Sequence, residues 1–138
     1  TMDITGLKRD SAKVEAGQWV GDIPDMGTMK VKVRGLGSNA YEQVLSRKRR
    51  ALDRTEKLAD GTPTPDALDR IMGEAIHEAV LLDWSGLEDA GKPVKFDDDM
   101  ALKWLTDPDF RPFKSAVIWA ALQVDNAKAE TAKVLEKN

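Results

Sequence analysis

The chain has a single histidine and no cysteine in 138 residues, so chemistry would have to come from that imidazole, from carboxylates, hydroxyls or basic groups. Without cysteine there is no disulfide, thiolate nucleophile, iron–sulfur cluster or cysteine zinc site. His77 stands between Ile76 and Glu78. With Glu74, Glu78 or Asp83 it would offer zinc a poor ligand set, and a structural or solvent-facing role is the simpler reading. The carboxylates Asp97, Asp98 and Asp99, and again Asp107 and Asp109, fall where helices are expected to begin, and the helix dipole stabilises negative charge there. DDDMALKW lacks the alternating oxygen ligands and central glycine of a calcium loop, so capping is preferred to metal binding. GLGSN (35–39) resembles half a phosphate-binding turn. It has neither the third glycine of a dinucleotide fingerprint nor the Gly-Lys-Ser/Thr of a P-loop, and reads as a strand-to-helix turn that needs permissive backbone angles. No serine has the histidine and acid partners of a nucleophile. The sequence therefore assigns no catalytic residue, no cofactor and no metal ligand, and an enzyme is the least favoured class.

One charged feature has a functional alternative. In SRKRRALDRTEK, Arg47, Lys48, Arg49, Arg50 and Arg54 are an electrostatic footprint that could track phosphates. The same stretch carries Asp53 and Glu56, the formal net charge is -3, and no base-reading motif or stacking aromatics accompany it. A solvated or protein-binding face is favoured over nucleic acid, with Arg47 and Arg50 as candidate contacts.

These residues sit on an ordinary framework: 41% hydrophobic and 33% charged residues, enough length for one domain spanning 1–138, and no apolar run of membrane-spanning length. Thr1 ahead of Met2 reads as an added residue, and the start lacks a signal peptide's apolar core, so a cytosolic protein is expected. The fold class expected is α+β, predominantly α-helical: an N-terminal antiparallel β-hairpin followed by about four helices. The hairpin occupies about 12–36. Met29, Val31 and Val33 alternate with Lys30, Lys32 and Arg34, and a weaker alternation over 12–24 includes a candidate bulge at Gly17. Asn39 with Glu42 suggests a capping box for a helix over 39–58, and Thr64-Pro65 starts a second over 65–83, whose Leu68, Ile71, Met72, Ala75, Ile76, Ala79 and Leu82 give a strong helical period. LLDWSGLEDAGKPVKF (81–96) reads as the end of that helix and a joint pinned by Trp84, Val94 and Phe96. Helices over 97–105 and 108–135 follow, capped by Asp97 and Asp107. The last has a stripe from Phe110 and Phe113 to Val124 and Thr131. Ile118, Trp119 and Leu122 widen it beyond one packing partner, which suggests apolar surface held for another chain.

The order of segments resembles the tail assembly chaperones of long-tailed bacteriophages and prophages. The resemblance is carried by KVKVRGLGSNAYEQVLSRKRR (30–50), by HEAVLLDWSGLEDAGKPVKFDDDMALKWLTDPDF (77–110) and by FRPFKSAVIWAALQVDNAKAETAKVLEKN (110–138), which together span nearly the whole chain. It implies a non-enzymatic protein of the bacterial host cytoplasm, absent from the mature virion, that binds the tape measure protein and passes it to the major tail protein as the tube polymerises. Self-association along the client fits that role. Aromatic and apolar side chains are the expected client contacts: Trp84, Trp104, Ile118, Trp119 and Leu122. The rival readings are a nucleic-acid-binding regulator using the basic helix 42–57, and a small structural tail or connector protein of the virion.

Overall fold

A computed structural model describes residues 1–127. The fold is α+β and mostly helical. In chain order its elements are α1 (Ser11–Ala16), β1 (Gln18–Val20), β2 (Lys30–Val33), α2 (Asn39–Arg50), α3 (Pro65–Ala79), β3 (Leu81–Ser85), β4 (Glu88–Asp89), β5 (Lys92–Pro93), α4 (Asp98–Thr106) and α5 (Arg111–Asn126). Three-ten turns stand at Ile4–Leu7, Arg54–Glu56 and Pro108–Phe110. The expected hairpin exists: β1 pairs antiparallel with β2, Gln18 opposite Val33 and Val20 opposite Val31. Its apolar face, with Val31 and Val33 fully buried, is covered by α5, while Trp19, Lys32 and Asp83 line up across the other face.

The hairpin is shorter than the sequence suggests, because 11–16 is helix rather than strand. Asp10 accepts the Lys13 N–H at its start, and Gly17, at φ 89°, ends it in a conformation glycine adopts without strain. A local start signal and a local stop signal together outweigh a weak alternation, and Gly17 is a helix terminator instead of a bulge. The bulge lies further on, between Lys32 and Val33, where β2 meets a third strand.

That third strand is the larger correction. Leu81–Ser85, expected to finish the second helix and form a joint, is β3, antiparallel to β2 and completing the order β1-β2-β3. The helix α3 stops at Ala79, its start capped by Thr64 with Pro65 in the first turn as expected. Beyond β3, Gly86 lets the chain pass the Thr28 carbonyl, which any Cβ would strike. Ala90 and Gly91, both at positive φ, then form the two-residue turn joining β4 to β5.

Helix α2 also ends early, at Arg50. Its cap is Ser38, which accepts the Tyr41 N–H at 3.2 Å, so Asn39 and Glu42 form no capping box. The box belongs to Asp53 and Glu56, around the three-ten turn that replaces the end of the expected helix. Asp97 caps α4 as read. Asp107 caps a three-ten turn, and α5 begins only at Arg111. The expected continuation of α5 through Thr131 to 135 lies outside the described residues. The main core joins Met29, Ile76, Leu105, Val117 and Val124, and Leu52, Ala67 and Ile71 form a smaller one between α2 and α3.

Candidate functional site

The predicted contact residues separate into three environments. Trp84 is core, 3% exposed. Its indole N–H donates to the Val94 carbonyl at 3.0 Å, and its ring stacks on Trp104 with centroids 5.0 Å apart. Phe96 and Phe113 meet Trp84 edge-on, and Phe110 stacks on the half-buried Trp104. This cluster ties the 81–96 excursion to α4 and α5, as the expected pinning by Trp84, Val94 and Phe96 requires.

Ile118, Trp119 and Leu122 lie together on α5. Phe113, Val117, Ala120, Ala121 and Val124 face the core, whereas Ser115, Trp119 and Leu122, spaced four and three apart, share the opposite side. Ile118 and Trp119 are half-buried at the boundary, and Leu122 is 42% exposed. The excess width of the apolar stripe thus reaches solvent. Beside Trp119 the β1–β2 connection folds back onto α5 and leaves a cleft of about 350 Å³, floored by Ile23, Met26, Pro112 and Ala116 with Asp25 and Ser115 among its lining. Asp22 and Asp25 flank Ile23-Pro24 at φ 51° and 63°, so this wall is held in a sparsely populated backbone conformation by buried Ile23 and Met29.

The basic helix is divided. Arg47 and Lys48 turn toward α3, where Arg47 pairs with Glu78 at 2.5 Å and Lys48 reaches Glu74 and Glu78. Burial alone would raise the Glu78 carboxyl, but the hydrogen bonds from Lys48 and Arg47 outweigh it and hold the group below its usual range. Burial opposes the Lys48 charge, and the two carboxylates overcome it, moving Lys48 up. Arg49, Arg50, Arg54 and Lys57 make no ion pair among the described residues. They border two open depressions that share Lys57 and Gly61, one lined also by Arg54 and Leu58 and the other by Ser46, Arg49 and Arg50.

Two anchors went unread in the sequence. The turn that looked like half a phosphate site holds an internal carboxylate: Asp125 accepts the Leu36 and Gly37 N–H groups, both at 3.0 Å, and faces Arg9. A side chain on Gly35 would collide with Asp125 and Val14, so the glycine is there for close approach. The partners lie 88 and 89 residues apart, beyond any local motif. Lys114, though charged, is buried, and donates to the Asp69 carboxylate at 2.8 Å and the Asp69 carbonyl at 3.2 Å. His77 is likewise structural in geometry, its Nε2 2.9 Å from Asp98 Oδ1 and 3.1 Å from the Asp98 carbonyl, joining α3 to α4. Among the described residues no group of histidines and carboxylates is placed to hold a metal ion, and no helix is long and apolar enough to cross a membrane.

A family model described as YdaY prophage protein matches residues 36–138. The chain belongs to that family. Membership makes it a phage or prophage protein. No curated protein and no solved structure matches the chain. The YdaY match begins inside the turn held by Asp125 and takes in α2 to α5 with the basic depressions and the outward side of α5. The wall of the cleft formed by Ile23, Pro24 and Met26 lies ahead of it.

Proposed function

We propose that this prophage protein is a tail assembly chaperone: a non-catalytic binder that keeps the amphipathic helices of a tape measure protein soluble and delivers them to the major tail protein in the host cytoplasm. The observation that carries the proposal is the apolar track on α5, Trp119 and Leu122 beside the cleft at Ile23 and Met26. A groove of this kind accepts the apolar face of a helix, with side chains at three- and four-residue spacing as anchors. The order of segments that resembles tail assembly chaperones supports the same reading, and prophage membership is consistent with it. Trp119 is the natural anchor, an aromatic at the edge of an apolar cleft. Trp84, being core, acts only by holding α4 and α5 in place.

The test is co-expression with fragments of the tape measure protein encoded in the same prophage. The wild-type chain should bring at least one otherwise insoluble fragment into solution and co-purify with it. Leu122→Glu and Ser115→Arg, both at exposed positions, should abolish co-purification while leaving the circular dichroism spectrum unchanged. Failure of the wild-type chain to bind any fragment, or equal binding by both variants, refutes the proposal.

A further inference from the structure

We propose that the cleft beside Trp119 selects a basic amphipathic helix: an apolar side chain enters the cleft, and a lysine or arginine one turn away pairs with Asp25. This selectivity rests on the α5 site proposed as the client surface and adds the charge of the helix it takes. Among the described residues Asp25 is the one charged group in the cleft's lining, which is otherwise apolar apart from Ser115. Its carboxylate is exposed and makes no side-chain hydrogen bond or ion pair among the described residues. Local structure does not account for the charge. The Met26 N–H donates to the Ile23 carbonyl at 3.1 Å, closing a turn with Pro24 in its second place and Asp25, at φ 63°, in its third. Glycine or asparagine is the usual residue there, and either would shape the turn without a charge. Asp53 and Asp60, by contrast, accept the backbone N–H groups of Thr55 and Thr62.

No cation of α5 answers Asp25. Arg111 and Lys114, the two on that helix, both pair with Asp69 on α3. The Lys30 stem runs along Gly21, ahead of Asp22, and Lys30 is not part of the cleft. A helix laid on Trp119 and Leu122 covers the cleft and takes water from Asp25. Beneath an apolar or acidic flank the carboxylate loses solvation without gaining a partner, whereas a cation supplies one. Lysine and arginine suit the place because their stems cross apolar surface before the charge. On the client, residues three or four apart share a face, so anchor and cation fit within one turn, about 5.4 Å of rise. A like charge opposite Asp25 rejects acidic helices whose apolar side chains would fill the cleft equally well. The net charge of -3 favours the approach of a basic segment from a distance as well.

The test uses three synthetic helical peptides of about 20 residues that share one apolar stripe and differ only in its flanking positions, which are lysine, glutamine or glutamate. Binding to the purified full chain is read by fluorescence anisotropy of a dye on the peptide. Wild type should bind the lysine peptide at least about tenfold more tightly than the glutamate peptide, with glutamine between them, and the gap should narrow in high salt. Asp25→Asn, which suits the same turn, should shrink the gap below about twofold, and Asp25→Lys should reverse it. Leu122→Ser should weaken all three peptides alike, since it removes apolar contact and no charge. Equal affinity of wild type for the lysine and glutamate peptides would overturn the selectivity and leave the α5 surface standing. So would a gap that survives in Asp25→Asn, the mark of net charge alone. Binding of none of the peptides by wild type would instead remove the surface itself, and this selectivity with it. Circular dichroism matching wild type separates lost contact from lost fold in each variant.

Discussion

Removing the Asp125 carboxylate tests whether the turn at 35–37 is held from within. Asp125→Ala deletes two charge-assisted hydrogen bonds, to the N–H groups of Leu36 and Gly37, from a side chain only 15% exposed. Bonds of this kind contribute about 1.5–3 kcal/mol each when one partner is removed. Gly37 is exposed, so water recovers part of one bond, and the Arg9 contact at 3.8 Å adds little. The expected loss is about 2–3 kcal/mol. With a urea m-value of about 2 kcal/mol/M for a chain of this size, the unfolding midpoint should fall by about 1–1.5 M. Asp125→Asn keeps one acceptor oxygen but turns an NH₂ toward donors, and should lose about half as much. Gly35→Ala should be destabilising by itself, and adding Asp125→Ala should cost less than the sum, because the new methyl and the carboxylate compete for one space. A shift below about 0.5 kcal/mol for Asp125→Ala, or strict additivity with Gly35→Ala, would refute this account of the turn.

The hydrogen bond from Lys114, with the Lys114 and Arg111 charges, holds the Asp69 carboxyl below its ordinary 3.8. A depressed carboxyl contributes stability that is present above the unfolded-state value and lost as pH falls through the folded one. Thermal melts from pH 5 to pH 2 should therefore show a steeper loss for wild type than for Asp69→Asn below about pH 4. At neutral pH Asp69→Asn should be the less stable protein, since it leaves the buried Lys114 ammonium with neutral acceptors in place of the carboxylate charge. Gly73→Ala would raise helix propensity in α3, yet its Cβ would strike the Leu105 carbonyl. A net loss of at least about 1 kcal/mol in urea unfolding is expected. Trp84→Phe removes the bond to Val94 and part of the stack on Trp104, and should cost about 2 kcal/mol by the same measurement.

Much of the framework is legible in local sequence. The Thr64-Pro65 start and apolar period of α3, the alternation of β2 and the Asp97 cap are written within a few residues of where they act, and the structure shows each, whereas Asp107 caps a three-ten turn ahead of α5 instead of the helix itself. Errors arise where two local signals compete. Residues 11–16 alternate weakly enough to pass as strand, but Asp10 and Gly17 bracket a helical turn. Leu82 continues the helical spacing of α3, so β3 is hidden. What makes Leu81–Ser85 a strand is pairing with β2 some fifty residues earlier, across a bulge that erases its alternation.

The candidate surfaces divide in the same way. Sequence alone identified α5 as too apolar for one partner and 42–57 as basic, because both are properties of residue type and period. It could not tell that Trp84 is enclosed by Phe96, Trp104 and Phe113, or that Arg47 and Lys48 are engaged while Arg50 and Arg54 make no ion pair among the described residues. Those facts depend on which elements lie side by side. Helix α3 brings Glu74 and Glu78 to one half of the basic run and leaves the other open, and α5 brings Asp125 to a turn nearly ninety residues away. Periodicity and caps are one-dimensional and can be read along the chain, whereas ion pairing and enclosure are decided by distance in space.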